Sequence, residues 1–254
     1  MKFDLLKVFY AANFAAGCHS QVQETVMAPG WQRLSRYLLI ILLLFSVGLS
    51  LAQAKSPVSA PVPAAAGLKT MLVLGDSLSA AYGIPVQKGW VMRMATRLSA
   101  EKRPWRVQNI SISGETSAGG RARLAKALAL HKPALVLIAL GANDGLRGLP
   151  TELMQANLLA MVKASKASGA QVLLIGNRIP PNYGLDYTRA FELAFRAVAD
   201  AEKSALLPFL LEPIARDDAA FQADRLHPTA AAQIALEKHV FAAVLPLISK
   251  GSVR

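Results

Sequence analysis

Short apolar runs alternate along the chain with longer segments in which apolar residues recur every three or four positions. Short aliphatic runs that end at Gly or a polar residue are typical of buried parallel strands, and the longer spacing is typical of amphipathic helices. The runs predict five strands, at 71–74, 106–112, 134–140, 171–175 and 206–211. The longer segments predict helices at 90–98, 120–130, 151–166, 187–203 and 230–247.

This order of elements predicts the fold class. Strands and helices that alternate along a chain form βαβ units, in which parallel strands make one sheet and helices cover both of its faces. We therefore expect an α/β fold, a flavodoxin-like three-layer α/β/α sandwich with a five-stranded parallel sheet.

The first quarter of the chain has a different pattern. Residues 37–51 are uncharged and mostly apolar, Arg33 and Arg36 precede them, and Ala52-Gln53-Ala54 follows. A basic flank, a short apolar stretch and a small-x-small site are typical of a secretory signal peptide. We assign residues 31–54 to this signal, with cleavage after Ala54. The alternative is an uncleaved anchor, although a spanning helix needs about 20 apolar residues.

Two other segments flank the signal. Residues 1–30 lie upstream of it, and because Met27 opens a normal signal-peptide start, we interpret the preceding residues as an over-extended start-codon assignment. The alternative is a lipoprotein cleavage box at 15–18. Residues 55–67 are rich in Pro and Ala and predict a semi-rigid linker. Residues 68–254 remain as one domain, and their length is enough for a single buried core.

The charge and the cysteine content limit the classes of binding partner, disulfide and metal site that we expect. The net charge is +12, and beyond Ala54 there are 24 basic and 14 acidic residues, which leaves +10. Such an excess favours anionic partners, including transient contact with an anionic lipid surface. Scattered basic residues and the predicted periplasmic or secreted location argue against nucleic acid. Cys18, the only cysteine, precedes the cleavage site, so we expect no disulfide and no thiolate metal site in the exported chain.

Polar residues follow four of the predicted strands, and a parallel sheet gathers such residues at one edge, where open α/β sheets bind ligands. Ser77 would stand at the start of a helix, where free backbone N–H groups and the positive helix end favour a developing oxyanion. Ser77 is therefore the candidate nucleophile. The four clusters are Gly75-Asp76-Ser77, Ser113-Gly114-Glu115, Gly141-Ala142-Asn143-Asp144 and Asp224-Arg225-Leu226-His227-Pro228.

The last cluster supplies a base for this serine. Asp224 and His227 are three residues apart, so on a turn the carboxylate can hold one imidazole nitrogen while the other faces Ser77. The N–H groups of Ser77 and Gly114 and the side-chain amide of Asn143 would make an oxyanion hole of three donors. We interpret the remaining polar candidates as structural, exposed or helix-capping residues: Asp76, Ser79, Ser111, Ser113, His131 and His239.

The four blocks resemble those of the SGNH, or GDSL, hydrolases: G-D-S-L-S at 75–79, N-I-S-I-S-G-E-T-S at 109–117, L-G-A-N-D-G-L-R-G at 140–148 and D-R-L-H-P at 224–228. The resemblance covers about residues 68–248 and is greatest to the periplasmic acyl-CoA thioesterase I / protease I / lysophospholipase L1 group and its arylesterase relatives. It implies the SGNH hydrolase fold, with Ser77 as nucleophile, Gly114 and Asn143 as oxyanion donors, His227 as base and Asp224 as the orienting acid. It also implies no metal and no other cofactor.

The resemblance further implies where substrate binds. The loop 144–150 resembles the family's mobile substrate loop, and the segment 179–184 resembles its acyl-pocket loop. Glu115 departs from the thioesterase type, which often has Asp there, and Pro181 and Leu185 alter the pocket loop; these departures bear on substrate choice. The implied substrate-binding residues are Asp144, Leu146, Leu149, Ile179, Pro180 and Tyr183.

We therefore predict a serine esterase or thioesterase that forms an acyl-enzyme with small-molecule acyl esters: acyl thioesters, lysophospholipids or aryl esters. One alternative is a short-chain or carbohydrate acetyl esterase on the same fold. Another is a non-catalytic lipid-binding or anionic-ligand-binding domain, against which the intact Ser, Asn, Asp and His positions count. The chain has no G-x-S-x-G motif, which excludes the usual α/β-hydrolases. It also has neither a Walker A loop nor G-x-G-x-x-G, the motifs of phosphate and dinucleotide binding.

Overall fold

The computed structural model describes residues 67–249, which contain a five-stranded parallel sheet. The strand order is β2-β1-β3-β4-β5, the order of flavodoxin-like doubly wound folds. β1 lies between β2 and β3 and pairs Val73 with Asn109 of β2 and Gly75 with Ala139 of β3. The predicted fold class is thereby confirmed. The strands are β1 (Lys69–Gly75), β2 (Trp105–Asn109), β3 (Leu135–Ala139), β4 (Gln171–Ile175) and β5 (Ala205–Leu207).

Seven α-helices lie in residues 67–249, and the five predicted ones are all present with ends that differ by up to three residues. Two further helices are a single turn each and begin within three residues of a strand end; the sequence predicts that a helix begins at Ser77, whereas the one at Ala142–Leu146 was not predicted. Three 3₁₀ turns complete the elements, at Val86–Lys88, Pro181–Tyr183 and Asp218–Ala220. The helices are α1 (Ser77–Ala80), α2 (Trp90–Ala100), α3 (Ser117–His131), α4 (Ala142–Leu146), α5 (Thr151–Ala167), α6 (Leu185–Glu202) and α7 (Gln233–Ser249).

The core consists of two apolar layers, one on each face of the sheet. Successive side chains of a strand point to opposite faces, and accordingly Met71 and Val73 of β1 pack in one layer and Leu72 and Leu74 in the other. α2 and α7 cover the first layer, and α3, α5 and α6 cover the second. Both faces of β1 are therefore buried, which explains its continuous apolar sequence.

The fifth strand is shorter than predicted. The sequence predicts a strand over 206–211, but β5 ends at Leu207 and the chain then leaves the sheet in turns. Pro208 follows β5, and proline has no N–H with which to extend a strand ladder. Residues 208–223 therefore separate β5 from the Asp224 cluster.

The predicted upstream segment, signal peptide and nearly all of the linker lie outside the described residues. In residues 67–249, no helix has the length and apolar character that a membrane span requires.

Candidate active site

Ser77 lies at the carboxyl edge of the sheet, just beyond the end of β1. β1 ends at Gly75, and the Asp76 side chain caps α1 by accepting a hydrogen bond from the N–H of Leu78 at 3.0 Å, as the sequence predicts. Ser77 is the first residue of α1. A side chain at Gly75 has no room, because its Cβ would lie 2.7 Å from the Ser79 hydroxyl. The tight turn thus requires glycine before the serine.

His227 bridges Ser77 and Asp224. Its Nε2 lies 2.9 Å from the Ser77 hydroxyl, and its Nδ1 lies 2.7 Å from one carboxylate oxygen of Asp224. The other oxygen accepts hydrogen bonds from the backbone N–H groups of Leu226 and His227, each at 3.0 Å. The structure therefore places the predicted serine, histidine and aspartate in one continuous chain of polar contacts, although 150 residues separate Ser77 from His227.

The turn that carries His227 keeps Asp224 ionised. The backbone N–H groups of His227 and Leu226 and the His227 ring all favour the carboxylate, and together they lower the pKa of Asp224 from 3.8 to about 2. Arg225, between the two bonded residues, has a φ of 56°, in the left-handed region that non-glycine residues seldom adopt. The turn therefore combines an anionic acceptor with a strained backbone that aims the imidazole at Ser77.

Gly114 and Asn143 line the same cavity as Ser77 and His227. Gly114 has a φ of +79°, which L side chains rarely adopt. The Asn143 amide nitrogen lies 3.0 Å from the carbonyl oxygen of Glu115, to which it donates, and 3.5 Å from an Asp76 carboxylate oxygen. The amide orientation is thus set by the loop that carries Gly114.

Asp76 is a buried carboxyl close to these groups. Its residue is 2 % exposed, and burial raises the pKa of Asp76 from 3.8 to about 6, although the hydrogen bond from Leu78 N–H and the nearby His227 oppose that rise. Asp76 therefore titrates well above an ordinary aspartate.

Asp144 does not contact the cavity, unlike the substrate-binding role that the resemblance implies. Its residue is 3 % exposed, and its carboxylate accepts hydrogen bonds from the N–H of Ser117, at 2.8 Å, and from the Ser117 hydroxyl. Asn157 of α5 donates to the same hydroxyl at 3.1 Å. Asp144 thus joins α4 to the N-terminus of α3 inside the protein.

Glu115 holds the loop after β2 in place. Arg123 of α3 donates to its carboxylate and, at 2.7 Å, to the carbonyl oxygen of Ile110. Arg147, from the loop after α4, donates to the Gly114 carbonyl oxygen at 2.9 Å. Both ends of the Gly114 loop are thereby fixed by arginine side chains.

The cavity has a volume of about 440 Å³ and mostly apolar walls, the range and character of small-molecule sites. Of the predicted substrate-binding residues, Leu146, Ile179 and Pro180 line it. Leu149 and Tyr183 are not part of its lining; the Tyr183 hydroxyl instead donates to the Leu146 carbonyl oxygen at 2.8 Å. Lining residues that the sequence analysis missed include Leu78, Tyr82, Phe209, Leu211, Phe221 and Leu226.

Ser113 lines the cavity, whereas the remaining polar candidates lie in structural positions. His239 Nε2 lies 3.0 Å from the carbonyl oxygen of Phe209, and burial lowers the pKa of His131, at the end of α3. The hydroxyls of Ser79 and Ser111 are buried without a hydrogen-bond partner among residues 67–249. In the same range, no three His, Cys, Asp or Glu side chains are grouped so that they could hold a metal ion.

Comparisons with known proteins place this geometry in a family. The sequence pattern of the GDSL-like Lipase/Acylhydrolase family matches residues 73–233, more than half of the chain. Esterase TesA of Pseudomonas aeruginosa is 49% identical over 183 residues, which cover 72% of this chain and 91% of that protein. Thioesterase 1/protease 1/lysophospholipase L1 of Escherichia coli K12 is 36% identical over 188 residues, 74% of this chain and 89% of that one.

A solved structure agrees with these matches. The psychrotrophic esterase EstA from Pseudoalteromonas sp., in a structure inhibited by monoethylphosphonate, has a TM-score of 0.69 and 40% sequence identity, and the match covers 71% of this chain and 99% of that one. The predictions of the superfamily, of its fold and of a serine ester hydrolase are confirmed by these findings. The chain belongs to the GDSL-like lipase/acylhydrolase family.

Proposed function

We propose that the chain hydrolyses acyl esters and thioesters through an acyl-enzyme on Ser77. The observation that carries the proposal is the unbroken contact from the Ser77 hydroxyl to His227, at 2.9 Å, and from His227 to Asp224, at 2.7 Å, beside a cavity of about 440 Å³. A serine hydroxyl becomes nucleophilic when an adjacent imidazole accepts its proton and a third group orients the imidazole.

The reaction then has two balanced halves. His227 Nε2 takes the Ser77 proton as the serine oxygen bonds to the ester carbonyl carbon, and the resulting imidazolium returns that proton to the leaving alcohol or thiol as the carbon–oxygen or carbon–sulfur bond breaks. Water then attacks the acyl-enzyme and gives a proton to His227, which passes that proton to the Ser77 oxygen as the acyl–oxygen bond breaks and the carboxylic acid is released. Asp224 remains anionic throughout and stabilises the imidazolium.

Three donors would stabilise the oxyanion of each tetrahedral intermediate: the N–H groups of Ser77 and Gly114 and the amide of Asn143. Removal of one such donor typically costs about 3 kcal/mol of transition-state stabilisation. The contact between the Asn143 amide and the Glu115 carbonyl oxygen, at 3.0 Å, supports this assignment, because an amide already oriented by the protein needs no reorganisation during the reaction.

The walls of the cavity support an acyl chain as the bound group. Leu146, Ile179, Pro180, Phe209 and Phe221 surround it with apolar surface, and apolar surface removed from water contributes about 25 cal/mol per Å². Medium or long acyl chains on thioesters, lysophospholipids or aryl esters are the substrates proposed, and the names of the relatives from Pseudomonas and Escherichia agree with that class.

The N-terminal sequence supports a periplasmic or secreted location. The signal-like residues 31–54 support export and cleavage near Ala54, with residues 68–254 as the hydrolase domain, and the charge of +10 beyond Ala54 supports transient contact with anionic lipid surfaces.

The test compares the purified protein with Ser77→Ala on p-nitrophenyl esters from acetate to palmitate and on a long-chain acyl thioester. The wild type is expected to show a chain-length optimum beyond acetate, and Ser77→Ala to lose several orders of magnitude in kcat on every ester. Fastest turnover of acetate would instead identify an acetyl esterase. Equal turnover by both proteins would show that Ser77 is not the nucleophile.

A further inference from the structure

The ring of Tyr82 lies against the ring of His227. Their centroids are 4.4 Å apart and their planes are inclined by 38°, a separation at which aromatic rings interact favourably. Tyr82 is 51% exposed. The observed contact with His227 is between the two rings.

The backbone of Tyr82 is tied to the residue that carries the nucleophile. Its N–H donates to the carbonyl oxygen of Ser77 at 3.2 Å. The chain turns sharply on either side of it, since Ala81 has a φ of 63° and Gly83 a φ of 73°. The ring thus projects from the Ser77 segment towards the histidine.

Gln222 connects the His227 segment to the Tyr82 segment by hydrogen bonds. Its backbone N–H donates to the carbonyl oxygen of His227 at 2.8 Å, and its side-chain amide donates to the carbonyl oxygens of Pro228, at 3.0 Å, and of Tyr82, at 2.9 Å. The carbonyl oxygens of His227, Pro228 and Tyr82 therefore share Gln222 as one hydrogen-bond partner. A Cβ at Gly83 would lie 2.1 Å from the Gln222 side-chain oxygen, so glycine at 83 is what lets the two segments meet.

We infer that Gln222 and Tyr82 form a clamp that positions His227 against Ser77. Apart from Ser77 itself, the side chain within residues 67–249 that is hydrogen-bonded to the imidazole is Asp224. Asp224 belongs to the same exposed turn as His227, so it cannot fix that turn relative to the serine. The clamp joins the two segments directly, and a displacement of about 1 Å between reacting groups can reduce a rate about 100-fold. This inference rests on the proposed function, because it concerns the distance between the proposed nucleophile and base.

The first test replaces Gln222 by Met, which has a similar length but donates no hydrogen bond. Gln222→Met is expected to lower kcat on p-nitrophenyl esters by about 10- to 100-fold with KM changed less than threefold. Reaction with a small serine-directed phosphonate should slow by the same factor, since that reagent occupies little of the cavity. The matched control is Gln171→Met, which removes a glutamine hydrogen bond to the Leu247 carbonyl oxygen at the opposite end of β4.

The second test uses Tyr82 and does not depend on the folding of the Gln222 variant. Tyr82→Phe keeps the ring and is expected to lower kcat less than threefold, whereas Tyr82→Leu removes it and should lower kcat about 10-fold or more. Because Tyr82 also lines the cavity, acetate and decanoate esters are compared. A positioning residue reduces kcat for both esters by the same factor, whereas a residue that only contacts the acyl chain affects decanoate alone and mainly raises its KM.

The outcomes separate the two proposals. If wild type neither hydrolyses esters nor reacts with the phosphonate, the proposed function fails. If wild type is active but Gln222→Met and Tyr82→Leu retain kcat within threefold on acetate, or change only KM, the clamp is refuted. Parallel losses of kcat and phosphonate reactivity in both variants, with Gln171→Met and Tyr82→Phe close to wild type, establish it.

Discussion

The first prediction concerns how much the buried contact between Asp144 and Ser117 contributes to the stability of the fold. The resemblance to known hydrolases implies that Asp144 contacts substrate, but its carboxylate is buried against Ser117, whose residue is 0 % exposed. Asp144→Ala removes the acceptor for the Ser117 N–H and for its hydroxyl. The hydroxyl can still accept a hydrogen bond from Asn157, whereas the N–H has no other acceptor among residues 67–249.

The expected magnitude follows from those two groups. A buried backbone N–H without a partner costs about 1–3 kcal/mol, and the loss of a hydroxyl bond to a carboxylate adds about 1 kcal/mol. Asp144→Ala should therefore destabilise the fold by about 2–4 kcal/mol, or roughly 4–16 °C in Tm for a domain of this size. Asp144→Asn keeps one oxygen for the N–H and can donate to the Ser117 hydroxyl, so it should cost about half as much.

Urea unfolding of wild type, Asp144→Ala, Ser117→Ala and the double variant measures the effect and its source. The two residues are in contact, so the cycle should yield a coupling free energy of about 1–2 kcal/mol. Asp200→Ala, an exposed acid on α6, is the control and should change stability by less than about 0.5 kcal/mol. A loss below 1 kcal/mol for Asp144→Ala, or strict additivity in the cycle, would refute the reasoning.

Two further predictions concern the residues around the nucleophile. Burial raises the pKa of Asp76 from 3.8 to about 6, so between these pH values the native state holds a proton that the unfolded chain has released, and the stability contributed by this group falls as pH rises from about 4 to about 6. The change is about 3 kcal/mol, and Asp76→Asn, which keeps the capping oxygen, should remove that part of the slope in urea unfolding across this pH range; an unchanged slope would contradict the assignment. Gly141 has a φ of +116°, and a Cβ there would lie 2.9 Å from Met154 Sδ and Phe195 Cζ, whereas Gly148 has a φ of +63° and open space. Gly141→Ala should thus lower Tm by several degrees more than Gly148→Ala and reduce kcat, because it precedes Asn143; equal effects on Tm would show that packing at 141 is unimportant.

Much of the fold could be predicted because its strands are short, apolar and bounded by Gly or polar residues. β4 was predicted with the bounds that the structure shows, Gln171–Ile175, and the carboxyl ends of the parallel strands bring three of the four polar clusters to one edge. β5 was overextended because Phe209, Leu210 and Leu211 continue its apolar run, while Pro208 ends the ladder. These apolar residues pack in turns outside the sheet, and the periodicity of a short apolar run does not distinguish such a segment from a strand.

The site residues whose role depends on the chemistry of the side chain could be predicted from the sequence. Residues whose role depends on where the side chain points in the fold were harder to predict. Ser77, His227 and Asp224 were selected by their chemistry, and the structure brings them together. Asp144 is a residue type common in active sites, but its side chain points into the protein, towards Ser117 at the start of α3. Tyr82 and Gln222 carry no motif, and their relation to His227 depends on a tertiary contact between segments 140 residues apart.

Covalent labelling tests the central claim most directly. The full protein is treated with a p-nitrophenyl phosphonate, and the adduct is located by peptide mass spectrometry in wild type, Ser77→Ala and His227→Ala. One adduct per chain is expected on Ser77, none in Ser77→Ala, and labelling slowed by several orders of magnitude in His227→Ala, because the serine then lacks its base. An adduct on another residue, or ester hydrolysis that persists in Ser77→Ala at the wild-type rate, would contradict the role of Ser77 as the nucleophile.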